Sequence, residues 1–565
     1  MRGAKSAKWV TGAIVVALAA TACGGGGKKN DDAAPAGKRE PFNNPATAPA
    51  SNPKQGGTFS LGITEPKFID PYNSQESEGE VVTQALFTGL YKPTADGKLV
   101  PMLATSGTSD DKCTVWDFGV KTGTKFTNGE DVDAESFVRG WTRAALKESA
   151  SDVAYHMAGI KGFDDIQGGK TDKFEGVTAP APDKLHVELS KPDCGFNIKT
   201  GHSVFSPVPK AAGAANNKDY NEAPIGNGPF KMEGKWEHNK SITLVRNDDY
   251  GLQKAHLDKV NISILNPQNS VQLETQGFQA GQFDWARMPV PQMPTLKAKY
   301  AKDNEWLEQE TAGMNFVLPI TDNGPLKTKE ARLAVSYAID RNAIANGVFK
   351  GLQSASTTIL PPSFKGVYQD GLCGSCVKQD KDKAKELAEK AGLGKGTSID
   401  LQYNTGAGHE EWMQAVAKQI EDVLGWKVNL KGQAFAQLLD AEQSPKGSGM
   451  FRFAWSADYP TPDAILFPLL ATQSINKDAN GKVVGDNRSR WSNKEFDTLL
   501  DKARETKDEA ARNKLYQQAE KIALDDAALI PVYTRTQQRL VNTKKFAGVS
   551  MDYVENPTLA DISLR

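Results

Sequence analysis

Hydrophobic and polar residues follow one of two periods along most of this 565-residue chain. Short segments in which every second residue is apolar, such as TFSLG, KLHVELS and SITLVRN, predict strands. Longer segments with apolar residues three or four positions apart, such as AESFVRGWTRAAL and residues Glu410 to Leu424, predict helices. Strands and helices are mixed throughout, and the sequence contains no fixed-period repeat. This pattern predicts α/β lobes rather than a β-sandwich or a helical bundle.

The first 22 residues have a different pattern, with three basic residues followed by an apolar stretch from about Val10 to Ala20. That stretch is too short for a transmembrane helix, which needs about 20 apolar residues, and it ends in small residues. It therefore predicts a secretory signal peptide over residues 1–22. The sequence ATAC, ending at Cys23, resembles a bacterial lipobox, in which the cysteine is lipidated and becomes the mature N-terminus. Ordinary secretion with an incidental cysteine is the alternative.

Residues 23–56 are rich in Gly, Pro, Ala and polar residues, and Phe42 is their only large apolar side chain. Such a segment buries too little surface to offset the entropy lost on ordering, so we predict a flexible tether. Its coil would span on the order of 30 Å. No later apolar stretch is long enough for a transmembrane helix. We therefore expect a folded body held to the extracytoplasmic face of the cell membrane by a lipid anchor alone.

The composition limits the possible partners. The chain has 68 basic and 69 acidic residues, a formal net charge of −1, so nothing in this balance favours nucleic acid or an anionic membrane surface as a partner. The roughly 500 residues after the tether are enough for two or three compact lobes.

The four cysteines after Cys23 are Cys113, Cys194, Cys373 and Cys376, and in an exported protein an even number predicts disulfides. Two of them flank the strand-like segments TVWDFGV and KLHVELS; antiparallel pairing of these strands would bring Cys113 beside Cys194. The other two would close a small loop of their own. The helix start that a redox CxxC needs is missing, and zinc would require two more thiols or imidazoles nearby. We therefore expect structural disulfides, no metal site and no cofactor.

The segment RFAWSADYPTPD, residues 452–463, contains an aspartate that local structure does not require. Its last three residues, TPD, already provide an N-cap, a first-turn proline and an acid for the helix that follows. Asp458 precedes that start and is flanked by Trp455 and Tyr459. Two interpretations remain open at this stage: Asp458 stabilises the turn before Pro460, or it binds a cation.

From Gly56 to the C-terminus, the order of many motifs resembles the family 5 extracellular solute-binding proteins of ABC importers, and most closely the oligopeptide-binding members. The motifs are GGT, IDP, LFTGLYKPTADGKLVPMLATS, KFTNGEDVDAESFVRGW, PIGNGPFKM, LVRNDDYG, LDKV, RLAVSYAIDR, ILPP, YNTGAGHEEW and WSADYPTPD. The order of this many motifs is far more specific than any single short pattern.

The resemblance implies an α/β, two-lobed, periplasmic-binding-protein-like fold (a Venus flytrap) with an additional small lobe and a hinge of two segments. Because the chain would cross twice between the large lobes, they could close as rigid bodies around a ligand. The expected boundaries are lobe I at 57–85, 210–312 and 530–565, the small lobe at 86–209, lobe II at 313–529, and the hinge near 313–315 and 531–533.

The resemblance also implies the function. A monomeric receptor would capture oligopeptides between its closing lobes and deliver them to a membrane permease driven by cytoplasmic ATPases. In the oligopeptide-binding members, the aspartate of the ADY motif pairs with the ammonium group of the ligand, and Asp458 stands at that position. Trp455, Ser456 and Tyr459 would line the site beside it, while the ligand backbone would be held as an added strand.

Four further positions carry over from the resemblance. Arg452 and His409 align with groups that these members use for ligand carboxylates. Phe435 stands where they have a tryptophan that lines a side-chain pocket, and Arg535 where they have a pocket tyrosine, a change that could favour an acidic group on the ligand. From the residues alone, Arg452 could instead face solvent, His409 could be an exposed loop residue, Phe435 could belong to the core, and Arg535 could be paired in the hinge.

Two other functions are open alternatives. The fold could carry a non-peptide cargo such as a metal complex, haem, a sugar or an antibiotic, since fold does not determine ligand. An extracytoplasmic hydrolase is disfavoured: SDDK, beginning at Ser109, matches an SxxK motif only in a polar turn, and the HExxH, GxSxG and Walker motifs are missing from the sequence. We expect no catalytic residues and no enzyme activity.

Overall fold

The structure, a computed structural model, describes residues 44–94, 98–214, 217–405, 408–483 and 485–565. The predicted signal peptide, Cys23 and the first part of the predicted tether lie outside these residues. Within the described part of the chain, no helix combines the length and the apolar character needed to cross a membrane.

The strands alternate with helices along the chain, as the sequence pattern predicts. The strands are β1 Thr58–Ile63, β2 Tyr91–Pro93, β3 Leu99–Pro101, β4 Ala104–Ser109, β5 Val115–Val120, β6 Val177–Ala181, β7 Lys184–Glu188, β8 Phe230–Met232, β9 Ser241–Arg246, β10 Lys259–Ile264, β11 Trp285–Ala286, β12 Trp306–Pro319, β13 Ser354–Ala355, β14 Ser398–Asn404, β15 Lys427–Gln433, β16 Met450–Ser456, β17 Ile530–Val541, β18 Phe546–Ala547 and β19 Ser563–Leu564.

Several helices start at a side-chain cap. Asp133, for example, forms a capping box with Ser136 at the start of the second helix. The N-cap expected at Thr461 is not observed: that helix starts at Asp463 after Pro462, without a side-chain cap hydrogen bond. The helices are α1 Ser77–Leu86, α2 Ala134–Ala145, α3 Phe163–Gln167, α4 Phe196–Lys199, α5 Lys218–Glu222, α6 Ser270–Gln279, α7 Met293–Tyr300, α8 Lys329–Ala338, α9 Arg341–Ala343, α10 Lys381–Lys390, α11 Glu410–Leu424, α12 Phe435–Gln443, α13 Asp463–Leu470, α14 Lys494–Arg504 and α15 Glu509–Asp525.

One large mixed sheet, with the strand order β15-β14-β16-β12-β17-β11-β1-β10-β9-β8, contains strands from the segments predicted for lobe I and for lobe II. The long antiparallel strands β12 and β17 lie at its centre and connect the lobe I strands on one side with the lobe II strands on the other. Their register shifts between Glu310 and Met314, and again between Asn315 and Phe316. The two segments predicted for the hinge lie on these strands, and their role as a hinge stays a prediction.

The buried hydrophobic side chains form several separate clusters within the lobes predicted from the sequence. Phe59 and Phe230 are buried in lobe I, Phe316 and Phe451 in lobe II, and Trp141 of α2 in the small lobe. The alternating strands and amphipathic helices of the sequence direct these side chains inward because one face of each element is apolar. The α/β class predicted from the sequence is therefore observed.

The small lobe is built on the four-stranded sheet β4-β5-β7-β6, which packs against α2. β5 and β7 pair antiparallel, so the cysteine before β5 lies beside the cysteine after β7. The structure contains both disulfides expected from the sequence: Cys113–Cys194, with Cα atoms 4.9 Å apart, and Cys373–Cys376, with Cα atoms 5.2 Å apart.

The last part of the predicted tether packs against the folded body. Asn44 is buried, and its side-chain amide donates hydrogen bonds to the carbonyls of Asn304 (2.6 Å) and Trp306 (2.7 Å). Further along, Lys54 pairs with Leu564 in a short antiparallel bridge. Residues 44–56 therefore differ from the predicted flexible segment, because they are hydrogen-bonded to lobe I.

A buried ion pair joins lobe I to the small lobe. The guanidinium group of Arg143, on α2, donates two hydrogen bonds to the carboxylate of Asp70, at 2.8 and 2.7 Å. Both side chains are almost fully buried, and Arg143 also lies over the ring of Tyr72. Removing one partner of such a pair would leave an uncompensated buried charge.

We expect Arg143→Met to lower the free energy of unfolding at pH 7 by about 3–5 kcal/mol, because Asp70 would remain buried without its cation. Denaturant titration of the purified variant measures this loss. The double variant Asp70→Asn/Arg143→Met removes the charge as well and should recover part of the lost stability. Equal losses in the single and double variants would contradict a role for the buried charge.

Candidate functional site

Asp458 lies where the three lobes meet. It follows β16 of lobe II, and its carboxylate accepts a hydrogen bond from the hydroxyl of Tyr155 in the small lobe, at 3.3 Å. Its backbone carbonyl accepts a hydrogen bond from the hydroxyl of Tyr553 in lobe I. One residue of lobe II is thus held by side chains from the two other parts of the protein.

The carboxylate of Asp458 is half-buried and has no cationic partner in the part of the chain that the structure describes. Burial raises its pKa to about 7, the hydrogen bond from Tyr155 opposes that rise, and the nearby Asp486 adds to it. Among the described residues, no lysine, arginine or histidine forms an ion pair with Asp458. A buried carboxylate that is ionised and unpaired is energetically costly. A positively charged ligand group bound at Asp458 would therefore offset this energetic cost.

Among the described residues, the edge of β16 next to this carboxylate is without a partner strand. β16 pairs along its whole length with β12, but its pairing with β14 on the other side is confined to Met450 and Phe451. Among the described residues, no strand therefore covers that side of residues 453–456. An exposed strand edge presents backbone N–H and C=O groups that can bind an extended chain.

Arg452 and His409 lie together near this edge. His409 is buried, and its Nδ1 accepts a hydrogen bond from the indole N–H of Trp412, at 3.1 Å. Burial, with Arg452 and Arg535 nearby, lowers the pKa of His409 to about 3, so the imidazole is neutral at pH 7. The hydrogen bond at Nδ1 leaves Nε2 as the protonated nitrogen, a hydrogen-bond donor.

Arg452 does not face solvent as an ordinary strand residue would. Burial lowers the pKa of its guanidinium group, and its Nε has no hydrogen-bond partner among the described residues. No carboxylate in the described part of the chain lies within ion-pair distance of it. Together, Arg452 and His409 present hydrogen-bond donors and positive charge that suit an anionic ligand group.

Arg535 bridges the two large lobes. One of its terminal nitrogens donates a hydrogen bond to the hydroxyl of Ser456, at 3.1 Å, and its Nε lies 3.5 Å from a carboxylate oxygen of Glu555. Ser456 is exposed at the free edge of β16. From the sequence, Arg535 is expected to favour an acidic group on the ligand. In the structure, Arg535 already has a negative partner, Glu555.

The aromatic residues predicted for the site lie in different surroundings. Trp455 is half-buried and donates its indole N–H to the carbonyl of Ala464 in α13, at 2.8 Å. The ring of Tyr459 lies edge-on to His156 of the small lobe, with centroids 6.0 Å apart. Phe435 is 54% exposed at the start of α12, so it does not belong to the core. No hydrogen bond or ring contact of the described residues joins Phe435 to the other predicted site residues.

Three contributors to the site were not predicted from the sequence. Tyr155 and Tyr553 come from segments far from Asp458 along the chain, Glu555 lies in the loop region after the strand that carries Arg535, and no local pattern distinguishes the three. In the described part of the chain, no group of three or more His, Cys, Asp or Glu side chains is arranged to hold a metal ion.

We expect Asp458→Asn to stabilise the ligand-free protein. The folded-state pKa of Asp458, about 7, lies above its ordinary value of 3.8, so its ionisation costs stability as the pH rises from about 4 through 7. Asparagine avoids that cost, which amounts to at most about 4 kcal/mol at pH 8. The melting temperature of the variant should exceed that of the wild type at pH 8 and equal it at pH 4.

Scanning calorimetry across this pH range measures the difference. Asp440→Asn, which changes an exposed aspartate of lobe II, is the matched control and should show no comparable pH-dependent gain. A lower melting temperature for Asp458→Asn at pH 8 would mean that the carboxylate has a structural partner.

Comparison with known proteins identifies the family. The family model described as bacterial extracellular solute-binding proteins, family 5 Middle, matches residues 98–477. The oligopeptide-binding protein OppA of Bacillus subtilis is 31% identical over 509 residues, covering 87% of this chain and 90% of that protein. A probable deoxycholate-binding periplasmic protein, YgiS of Escherichia coli, is 28% identical over 498 residues, covering 86% of this chain and 89% of that protein.

A solved structure agrees with the architecture. The unliganded open form of the periplasmic murein tripeptide-binding protein MppA superposes with a TM-score of 0.74 at 26% identity, covering 92% of this chain and 98% of that one. The two-lobed α/β fold implied by the resemblance is thereby confirmed. This chain belongs to the family 5 extracellular solute-binding proteins of ABC importers.

Proposed function

We propose that this protein is a lipid-anchored extracytoplasmic receptor that captures oligopeptides between its lobes and delivers them to a membrane permease with cytoplasmic ATPases. The observation that carries the proposal is the half-buried carboxylate of Asp458, which has no cationic partner among the described residues and contacts side chains from two other segments of the chain. Every peptide with a free N-terminus carries an ammonium group, whatever its sequence. A receptor that binds this group can therefore accept many peptides.

The free edge of β16 supports the same cargo. A peptide laid along residues 453–456 could bond through its backbone, and this mode gives affinity without selecting side chains. Ser456 is exposed on this edge and lies two positions before Asp458, so the backbone site and the ammonium site are adjacent. The arrangement suits an extended chain whose N-terminus is at Asp458.

Arg452 and His409 support binding of an anionic group further along the ligand. Arg452 precedes Asp458 by six residues on the same segment, and its guanidinium group lacks a carboxylate partner within the described chain. The neutral His409 beside it offers a further N–H donor. The C-terminal carboxylate of a short peptide is the natural group for this position.

The proposed location at the extracytoplasmic face of the membrane is inferred from the sequence of the N-terminal segment. The predicted signal peptide ends directly before Cys23, and export with a lipid anchor is appropriate for a receptor that supplies a membrane permease. One lipidated receptor, acting as a monomer, would be sufficient for delivery. The proposal is for a binding protein, so peptides incubated with it should be recovered with their masses unchanged.

Lipidation predicts that wild-type protein, but not Cys23→Ala, incorporates an alkyne-labelled fatty acid when it is produced in a bacterial host. Click labelling followed by gel fluorescence measures this directly. Thr21→Ser, a conservative change two residues earlier, is the control and should remain labelled. Equal labelling of the wild type and Cys23→Ala would place the lipid elsewhere or show that the label is nonspecific.

Asp458→Asn should weaken binding of trialanine by about 1.5–3 kcal/mol, or roughly 10- to 150-fold, because a charge-assisted bond to the ammonium group is lost. N-acetyl-trialanine has no ammonium group, so its weaker binding should change little. Titration calorimetry with both ligands at pH 7.5 makes the comparison. Equal loss for both would show that Asp458 acts only on the protein structure.

The pH dependence provides an internal control. Below about pH 7, protonation of Asp458 should weaken binding of trialanine by at most about tenfold per pH unit. Above about pH 8, loss of the ligand's own amine proton should weaken binding of trialanine again.

Native mass spectrometry of protein purified without added ligand tests the cargo class. A retained bile acid, glycan or metal complex instead of peptides would contradict the proposal.

A further inference from the structure

The small lobe and lobe II meet without a chain connection between them. By the predicted boundaries, both ends of the small lobe continue into lobe I, and so do both ends of lobe II. Among the described residues, the small-lobe sheet β4-β5-β7-β6 shares no strand with the large sheet, and each disulfide lies within one lobe. The contacts between the small lobe and lobe II are therefore noncovalent, and they can form and break as the lobes move.

The segment from Asp193 to Lys199, here called the latch loop, reaches from the small lobe to lobe II. Its Phe196 packs in the hydrophobic cluster of the small lobe. On the other side of the contact, Phe496 of α14 and Tyr516 of α15 belong to a different cluster. The small lobe and lobe II thus have separate hydrophobic clusters on the two sides of this contact.

Backbone groups at the tip of the latch loop bind lobe II directly. The N–H of Cys194 donates a hydrogen bond to the carbonyl of Arg504, at 2.7 Å, and the guanidinium group of Arg512 donates to the carbonyl of Cys194, at 3.5 Å. Arg504 is the last residue of α14, where carbonyl groups have no partner within the helix. The latch loop therefore satisfies a hydrogen-bond acceptor at a helix end of lobe II.

Four charged side chains join the same two lobes. Lys199 of the latch loop lies 2.6 Å from Asp193 and 3.7 Å from Asp463 of lobe II. Asp463 also accepts two hydrogen bonds from Arg504, at 2.8 and 3.0 Å. These side chains are 6% to 17% exposed, so water screens their charges weakly. Each lobe keeps one complete ion pair if the lobes separate, so the contact can open without leaving a charge unpaired.

The Cys113–Cys194 disulfide holds the latch loop in position. The N–H of Asp193 donates a hydrogen bond to the carbonyl of Cys113, at 3.0 Å, and the indole N–H of Trp116 donates to the carbonyl of Asp193, at 3.1 Å. Because Trp116 belongs to β5, the loop is fixed to the small-lobe sheet independently of lobe II. Less conformational entropy is then lost when the loop binds lobe II.

The latch loop lies beside Asp458. The ring of Tyr459, the next residue, has its centroid 5.7 Å from Nζ of Lys199 and 6.0 Å from the ring centroid of His156. Asp458 itself accepts the hydrogen bond from Tyr155 of the small lobe. A contact that holds the small lobe against lobe II therefore also holds Tyr155 next to the proposed ammonium site.

We propose that the latch loop is an interlobe latch: it stabilises the arrangement in which the small lobe is held against lobe II, and it thereby sets the affinity for every ligand alike. The part of this inference that concerns affinity rests on the proposed peptide function. The effect is equal for all ligands because the latch contacts are made by protein groups alone. If the latch is engaged in only a fraction of the molecules, the apparent dissociation constant rises in inverse proportion to that fraction.

Zero-length cross-linking measures engagement of the latch without any ligand. Nζ of Lys507 in lobe II lies 3.3 Å from the carboxylate of Asp111 in the small lobe, and both side chains are exposed. A carbodiimide activates this carboxylate, and the amine of Lys507 then forms an amide with it while the carbodiimide leaves as a urea. Mass spectrometry of the digested protein quantifies the product. A wild-type protein that forms no such cross-link would overturn the proposal, whatever the variants do.

The double variant Asp193→Asn/Lys199→Met removes the ion pair of the latch loop as a unit and leaves the ion pair of lobe II intact. Because no buried charge loses its partner, the fold should be retained. The cross-link yield of the ligand-free variant should fall about fivefold, as expected for the loss of a coupling of ordinary strength. Asp165→Asn/Lys170→Met removes an exposed ion pair of the small lobe and should keep the wild-type yield. An unchanged yield in Asp193→Asn/Lys199→Met would overturn the latch.

Titration calorimetry tests the effect on binding. Asp193→Asn/Lys199→Met should weaken the binding of trialanine and of N-acetyl-trialanine by the same factor, about fivefold, because the engaged fraction falls for both. Asp458→Asn, by contrast, is expected to weaken trialanine alone. Unchanged affinities of the double variant for both peptides would overturn the control of affinity by the latch.

The outcomes separate this inference from the proposed function. If the cross-link yield falls in Asp193→Asn/Lys199→Met but no peptide binds to the wild type, the latch between the lobes stands and the peptide receptor fails. If peptides bind to the wild type and to this variant with equal affinity, the peptide receptor stands and the latch fails.

Discussion

The proposed binding cleft depends on a half-buried carboxylate, Asp458, that no cation of the described residues neutralises. Two other buried acids of the fold are paired with arginines: Asp70 with Arg143, and Asp463 of lobe II with Arg504, which lies 2.8 Å away. The fully buried Glu520 instead accepts hydrogen bonds from the backbone N–H groups of Ile359 and Leu360. Asp458 is held by two tyrosine hydroxyls and has no cation among the described residues. Since water is the usual partner of such a group, its removal from water has to be offset by something that binds. The stability of the ligand-free protein and its affinity for a cationic ligand are therefore opposed at this residue.

The large sheet explains how groups from separate lobes reach this cleft. β12 and β17 are shared by both lobes, so a residue on β17 can contact the edge of β16 on one side and a lobe I loop on the other, as Arg535 does. The register shifts in these two strands lie in the same region. Lobe II also contacts the small lobe, where Lys199 lies 3.7 Å from Asp463. Relative movement of the lobes would change all of these contacts together, which is how closure can be coupled to occupancy.

The recognition proposed for this cleft is general. The carboxylate of Asp458 and the edge of β16 suit groups that every peptide has, and they distinguish peptides poorly. A receptor built in this way would accept a broad range of ligands.

The sequence by itself determined the elements whose signals are local. α11 spans Glu410–Leu424 as its apolar period predicts, α2 starts at its aspartate cap, and the alternating segments around Cys113 and Cys194 form adjacent strands. The sequence also drew attention to Asp458, through a predicted helix cap at Thr461 that the structure does not show and through the resemblance of the surrounding motif to a known family; its role in binding stays a prediction. Only the tertiary structure decided which groups surround Asp458. Tyr155 and Tyr553 come from distant parts of the chain, and residues 44–56 are held by lobe I despite a composition typical of a flexible segment. Such contacts depend on how the lobes pack, which no local pattern of hydrophobic and polar residues records.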